Sequence, residues 1–286
     1  MEKVGVILGS GIGNVIQTVP FVEYLASEVK AEVYGVWQID SGFPPYLAEE
    51  VKPFVQRLFD GFYDNKAQAE DAGIKVYTSP LNPPLIGTYD KWNIPESEVW
   101  FRLHFSDKEW KSWLSNHELK LPCKPEQRSH ELVIWAGSKW ASKMWPYYPI
   151  LANTFKTVAV VGGKNDPGTY PEHVEDLRGQ SLWNVSGIIK NATYYVGNEG
   201  GTSHLANAVN ANTFIIWGGS NPTKNRPKSK PSTHHISLNL PCQPCQKTNP
   251  NRGWSPCDGC DTMHCLKSLV PQNIIAHLQQ SEKKYL

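Results

Sequence analysis

The chain has no long apolar run, no surplus of charge of either sign, and almost no cysteine before residue 242. No stretch reaches the roughly 20 apolar residues that a membrane-spanning helix needs. Lys and Arg number 28 against 27 Asp and Glu, a formal net charge of +1, so the global basic footprint of a nucleic-acid binder is absent. The first residues, MEKVGVILGSGIGNV, lack the longer apolar core and cleavage site of a secretory signal, and a strand is expected to start at once. A cytoplasmic protein is therefore expected. There is no internal repeat and no low-complexity tract. What remains is 286 residues at 40% hydrophobic content, enough for one large or two modest globular domains. Eleven Trp and 22 Pro point to ordered loops and aromatic-lined surfaces, with core packing the default role of most Trp.

Hydrophobic patterning places a buried strand at 4–8, a glycine-rich loop at 9–14, a helix at 15–27 and a second strand at 33–37. This βαβ start implies a parallel sheet. The pattern next predicts a helix core at 54–59, a short strand at 75–78, an irregular proline-rich stretch at 79–95 and one helix over 96–115. Residues 121–129, with two prolines and mixed charge, read as a linker. A second α/β unit follows, with strands predicted at 132–135, 157–161, 194–196 and 213–217. The fold class is thus α/β, in two Rossmann-like halves: 1–125 and 126–286, the latter with a cysteine-rich segment at 242–265.

The most informative stretch is YYVGNEGGTSHLANAVNANTFIIWGGSNP, residues 194–222. It reads strand, glycine turn, short helix, strand, loop. Paired glycines at a strand-to-helix junction allow close backbone approach, and the helix start offers unpaired N–H groups to a phosphate. Spacing alone also fits an ordinary βα turn. By contrast, the first loop, Gly9-Ser10-Gly11-Ile12-Gly13-Asn14, has the spacing G-x-G-x-G-N and misses the dinucleotide fingerprint.

The run Gly197-Asn198-Glu199-Gly200-Gly201-Thr202-Ser203-His204-Leu205-Ala206 resembles the G-N-D-S-G-P-x-H-L-A donor signature of glycosyltransferase family 9, the heptosyltransferase-like enzymes. GSKWASKMWP at 137–146, DLRGQSLWNVSGIIKNA at 176–192, the first loop and helix, and the cysteine-bearing tail resemble that family in the same order. The resemblance implies a GT-B architecture, two Rossmann-like domains facing a cleft. It further implies transfer of a sugar from a nucleotide-sugar donor, held by the C-terminal domain, to an acceptor hydroxyl held by the N-terminal one. Inversion is implied as well, and a lipopolysaccharide-type glycan or glycolipid as acceptor, which would suit a protein peripheral to the inner membrane face.

Carried onto this sequence, the resemblance places Lys143, with Ser142 beside it, near the donor diphosphate. A leaving nucleoside diphosphate needs a cation or helix dipole against its developing charge. No DxD-type acidic pair stands out, so transfer without a catalytic metal is expected. Glu199, Gly200, Gly201, Thr202, Ser203 and His204 form the donor turn; Glu199 suits a sugar or ribose hydroxyl better than a phosphate, and His204 either donates to a phosphate or shapes the turn. Ser181 is expected to cap a helix. Ser10, Gly11 and Gly13 form the acceptor-side loop. The family's general base falls at Asn14, whose amide cannot accept a proton at neutral pH. Asp40, Asp90, His104 and Asp107 are the replacement candidates.

Five of the six cysteines fall at 242–265 in the pattern C-x2-C-x11-C-x2-C-x4-C. Paired CxxC knuckles suit structural zinc, with Cys242, Cys245, Cys257 and Cys260 as ligands and Cys265 able to replace one. A set of reduced or disulfide-linked cysteines is the alternative. The basic stretch at 224–230 reads as a solvated loop or as a contact for an anionic acceptor. Two other functions stay open: a glycosyltransferase acting on modified bases in DNA, and a non-catalytic nucleotide-sugar-binding or zinc-stapled interaction protein, which Asn14 favours.

Overall fold

The computed structural model describes residues 1–9, 11–39, 45–78, 93–106, 109–228, 230–245, 247–249, 253–255 and 262–282. The chain forms two compact units, Met1–Pro122 and Cys123–Leu286.

In the first unit the elements run β1 (Lys3–Ile7), α1 (Ile12–Ser27), β2 (Glu32–Val36), α2 (Pro45–Val55), β3 (Gly61–Tyr63), α3 (Lys66–Asp71), β4 (Lys75–Tyr77), α4 (Glu96–His104) and α5 (Glu109–Asn116). The four strands are parallel in the order β3-β2-β1-β4. Val4 and Val6 pack on one face against Phe21, Leu25, Trp100 and Phe101, and Ile7 packs on the other with Val36 and Ile74. A strand covered on both faces reads as an unbroken apolar run, which is why β1 is visible in the sequence. Helix α1 starts three residues before the expected Val15, because its first turn, Ile12-Gly13-Asn14, does not continue the apolar stripe. The single helix expected over 96–115 is two helices: Phe105 turns extended (φ −126°, ψ 128°) and ends α4. Of the four apolar positions at helical spacing in this stretch, Trp100 and Trp110 are buried and Leu103 and Leu114 half-buried.

The second unit continues with β5 (Leu132–Trp135), α6 (Tyr148–Ala152), β6 (Val158–Val160), β7 (Val174–Asp176), α7 (Leu182–Asn191), β8 (Tyr194–Asn198), α8 (Gly201–Ala208), β9 (Thr213–Ile216), α9 (Pro222–Asn225) and β10 (Thr233–Ile236). The hairpin β11 (Lys247–Asn249) and β12 (Gly253–Ser255) and helices α10 (His264–Lys267) and α11 (Pro271–Glu282) complete it. Its six strands are parallel, in the order β10-β9-β8-β5-β6-β7. The chain winds outward one way from β5 and then returns to wind the other way from β8. That reversal is the topological switch point of a doubly wound sheet, where ligands bind beyond the carboxyl ends of the strands. Ser181 caps α7 as expected, its hydroxyl accepting from the Asn184 amide at 3.3 Å.

One buried acid in the first unit has no counterpart in the sequence reading. Glu96, the first residue of α4, is 6% exposed and accepts a hydrogen bond at 2.8 Å from Gln17 Nε2 on α1. Burial outweighs that bond and raises its pKa from 4.5 to about 8. The folded carboxyl thus keeps a proton that the unfolded one has already lost. Folding takes up a proton in this window, so the stability contributed is full below about pH 4.5 and falls as pH rises through about 8. Glu96→Gln should flatten that slope and be more stable than wild type at alkaline pH, as read from urea midpoints at about pH 5 and pH 8.

Candidate functional site

Asn198, the last residue of β8, has no exposed surface. Its Nδ2 donates to the carbonyls of Ala136 (2.8 Å) and Gly137 (3.1 Å), and its Oδ1 accepts from the Trp145 amide (3.0 Å) and the Tyr148 hydroxyl (2.9 Å). One side chain therefore ties the whole β5–α6 connection to the end of β8. The Ser203 hydroxyl donates to the Asn198 carbonyl at 2.6 Å, fixing the first turn of α8 to the same point. Ser203 is 1% exposed and also meets the Tyr195 hydroxyl at 3.2 Å, so its hydroxyl is engaged within the protein.

Around this hub lie Lys143, Glu199 and His204, which the sequence sets 56 and 61 residues apart from first to second and first to third. All three are buried. The Lys143 ammonium forms an ion pair with the Glu199 carboxylate. His204 hydrogen-bonds to the Asn225 backbone, while its Nδ1 is buried without a hydrogen-bond partner among the described residues. Burial, reinforced by Lys143 and opposed by Glu199, lowers the pKa of His204 to about 4, so the imidazole is neutral at physiological pH. The start of α8 carries no side-chain cap. The amides of Gly201 and Thr202 make no hydrogen bond among the described residues, leaving donors and positive dipole at the crevice.

Gly200 is extended (φ 162°), so its backbone does not demand glycine. Its surroundings do: a Cβ there would lie 2.6 Å from the Trp135 ring. That ring lies at the end of β5, and its Nε1 donates to Asp166 Oδ2 at 3.0 Å. Asp166 follows β6 and also accepts from the Gly163 amide at 2.9 Å. A Cβ on Gly137 would fall 2.0 Å from Asp166 Oδ2, so this glycine is what admits the carboxylate. Arg178 holds the Asp166 loop from behind, donating to the carbonyls of Asp166 (2.6 Å) and Gly168 (3.2 Å) and pairing with Asp176 (2.5 Å). A carboxylate beyond the second strand of a doubly wound unit is placed where ribose hydroxyls bind in such folds. Sequence reading missed Asp166 and Trp135; only the strand order brings them to the crevice.

The loop after β9 closes another side. Gly218 approaches so tightly that a Cβ would sit 2.7 Å from the Ser142 carbonyl oxygen. Gln243 Nε2 donates to the Gly218 carbonyl (2.7 Å), and the Cys245 amide to that of Gly219 (3.1 Å). The first cysteine knuckle is thereby stapled to this loop. Cys242 is exposed, Cys245 half-buried, and Cys265 buried in the second unit's core with Leu266 and Leu269. Cys257 and Cys260 lie outside the described residues, and among the described residues no cluster of three ligating side chains occurs. The basic stretch is less solvated than expected: Lys224 is buried, and Lys230 Nζ donates to the Asn207 carbonyl at 2.8 Å.

In the first unit, Gly11 is the N-terminal boundary residue of α1, and Gly13 and Asn14 stand in its first turn. A Cβ on Gly9 would come 2.8 Å from Asn14 Cβ, so Gly9 is the glycine that lets the loop fold over Asn14. His104 is packed by the rings of Tyr77 (4.8 Å) and Phe21 (5.6 Å), and its Nε2 donates to the Thr78 carbonyl at 3.2 Å. Burial lowers its pKa below the usual imidazole value. Ser10, Asp40, Asp90 and Asp107 lie outside the described residues.

Two doubly wound α/β units with parallel sheets, the second with a crevice at its switch point, are the parts of a GT-B fold. A model of glycosyltransferase family 9 (heptosyltransferase) matches residues 85–254, more than half of the chain, and the chain belongs to that family. Among solved structures, the iron-containing dodecameric glycosyltransferase TibC from enterotoxigenic E. coli H10407 is similar with a TM-score of 0.74 at 14% identity, covering 99% of this chain and 81% of that one. E. coli ADP-heptose LPS heptosyltransferase II is similar at 0.60 and 16%, covering 99% of each chain. The family 9 glycosyl transferase from Veillonella parvula DSM 2008 reaches 0.54 at 14% identity, over 82% of this chain and 85% of that one. At these identities the likeness is one of fold. No curated protein matches the chain in sequence.

The Asn198 hub is open to direct test. Asn198→Leu keeps the volume and strands the two carbonyls, the Trp145 amide and the Tyr148 hydroxyl without their partner. At about 1–3 kcal/mol for a buried unsatisfied group, the loss should be on the order of 3 kcal/mol or more in chemical denaturation. A loss under about 1 kcal/mol would show that these groups find other partners.

Proposed function

We propose that this glycosyltransferase binds a nucleoside-diphosphate sugar in its second unit and transfers the sugar, with inversion and without a catalytic metal, to a hydroxyl of a glycan or glycolipid held by the first. The observation that supports the donor assignment most is the meeting of the Lys143 ammonium with the uncapped start of α8 at the switch point. A diphosphate there gains the cation and the amides of Gly201 and Thr202. Without a donor, Glu199 neutralises Lys143; with one, the diphosphate shares the ammonium and Glu199 is placed to accept from a sugar hydroxyl. Asp166 would accept from the ribose, and neutral His204 holds the turn through Asn225.

In the reaction the acceptor oxygen attacks the anomeric carbon from the face opposite the leaving group. The carbon–oxygen bond to the diphosphate breaks, and its electron pair leaves with the nucleoside diphosphate. The negative charge that develops is met by Lys143 and the α8 dipole. The hydroxyl proton must pass to a base. Asn14 cannot take it. His104 is enclosed by aromatic rings with Nε2 committed to Thr78, which leaves Asp40, Asp90 and Asp107 as the carboxylates to test.

ADP-heptose is the first donor to try, since TibC is known in complex with ADP-D-beta-D-heptose and heptosyltransferase II uses it by name. A lipopolysaccharide-type acceptor would put the protein in the cytoplasm, at the inner membrane face. Among the described residues no helix is long and apolar enough to cross a membrane. Transfer to bases in DNA is the less favoured reading, given a net charge of +1 and the engagement of Lys224 and Lys230 within the fold. For the cysteines we keep structural zinc on Cys242, Cys245, Cys257 and Cys260, because the first knuckle is already anchored through Gln243 and Cys245.

Lys143→Ala should weaken ADP binding about tenfold to a hundredfold, the worth of a charge-assisted contact of roughly 1.5–3 kcal/mol, as read by calorimetry. Unchanged affinity in a folded variant removes Lys143 from the phosphates. Elemental analysis for zinc and iron should find about one metal ion per chain, and Cys257→Ser should lose it and destabilise the C-terminal segment. Metal-free protein equally stable in chelator would leave the cluster a cysteine-rich loop.

A further inference from the structure

A cavity of about 430 Å³ lies wholly within the first unit. Pairing of β2 with β3 continues past both strands: the Trp37 amide donates to the Tyr63 carbonyl (3.0 Å) and the Ile39 amide to that of Asp64 (2.9 Å). The continued pairing carries Trp37, Ile39, Phe62 and Asp64 out to the cavity wall. Opposite them stands α2, which contributes Pro45, Ala48, Glu49 and Lys52. Those positions follow i, i+3, i+4, i+7 and so share one side of the helix, where Ala48 is buried, Lys52 half-buried and Pro45 and Glu49 exposed. The helix packs through Ala48, Val51, Phe54 and Val55, and Glu49 and Lys52 flank that apolar stripe at the cavity wall.

The floor is flat and apolar. Trp37 and Phe62 stack at 5.2 Å with an interplanar angle of 11°. Gly35 permits this, because a Cβ there would lie 2.6 Å from the Phe62 ring. The Lys52 ammonium stands 5.8 Å from the Phe62 centroid. At the rim Tyr46 is 71% exposed, among the most exposed large hydrophobic side chains of the described residues. The volume falls in the range of about 300–1,000 Å³ usual for small-molecule sites, which combine apolar walls with a few fixed polar groups.

We propose that this cavity binds an uncharged saccharide, the part of the acceptor that the first unit grips. The proposal rests on the glycosyltransferase reading and deepens it. A pyranose has an apolar C–H face and a ring of hydroxyls. The face suits the exposed Tyr46 ring; the hydroxyls can donate to the Glu49 and Asp64 carboxylates and accept from Lys52. Two carboxylates against one ammonium make the wall net negative, so a phosphorylated or uronate sugar meets like charge. The site therefore selects a neutral sugar over the anionic ones.

The test uses the full chain without donor. Tryptophan fluorescence and saturation-transfer NMR would follow titration with maltotriose, lactose and N-acetyllactosamine, and with trigalacturonate and 3′-sialyllactose as anionic probes. At least one neutral oligosaccharide should bind, and more tightly than either anionic one. Tyr46→Ala and Asp64→Asn should each weaken it about tenfold, while the exposed positions leave the circular dichroism spectrum unchanged. ADP affinity should be the same in both variants, since they lie outside the donor unit. Failure of all three neutral sugars, tighter binding of an anionic one, or wild-type affinity in both variants overturns the proposal. If ADP binds normally in that case, the glycosyltransferase reading stands and only the saccharide site falls; if ADP also fails to bind, the donor assignment falls with it.

Discussion

Four hydrogen bonds to a single amide side chain, that of Asn198, hold the switch-point crevice of the second unit in shape. In a parallel sheet the loops beyond adjacent strands leave their backbone groups unpaired, and burying those groups without partners is costly. Asn198 supplies two donors and two acceptor sites from one fully buried position and spends them all on the β5–α6 connection. Aspartate would lack the donors and leucine would lack both. The placement of Lys143, the closure of Gly218 onto Ser142 and the seating of α8 all follow from a β5 loop drawn onto the end of β8.

Glycines act here through space rather than through backbone freedom. Gly137, Gly200 and Gly218 each sit where a methyl group would strike Asp166, Trp135 or the Ser142 carbonyl. Together they let three loops and one indole converge on a crevice that would otherwise be filled by side chains. The same device recurs in the first unit, where Gly35 admits Phe62 beneath Trp37.

Legibility from sequence followed burial. β1, β5, β8 and β9 are covered on both faces and appear as apolar runs. β3, β7 and β10 are half-exposed edge strands of three or four residues, the last two partly polar, as in Val174-Glu175-Asp176 or Thr233-His234-His235-Ile236, and carry no period to read; β4, the remaining edge strand of the parallel sheets, is the exception, read at 75–78. In the site, Lys143 and the 198–204 turn were visible because they are contiguous runs with a family pattern. Asp166, Trp135 and the Lys143–Glu199 pair were not, since their proximity exists only once β6 and β8 flank β5. Glu96 was hidden for a related reason: a glutamate at a helix start looks like a favourable dipole partner, and only packing against Gln17 reveals it as a buried acid.

The Lys143–Glu199 pair also bears on what the crevice ignores. An ammonium already matched by a carboxylate offers an isolated inorganic anion little net attraction, because capture must compete with a partner covalently held in place. A ligand gains only by bringing further contacts to the α8 amides and the neighbouring loops. Were a diphosphate to bind and depart, the carboxylate would be at hand to take back the charge, so the vacated site would hold no naked buried cation. Under the donor assignment proposed above, the pair would act as a built-in counterion that favours nucleotide over free phosphate and eases product exit.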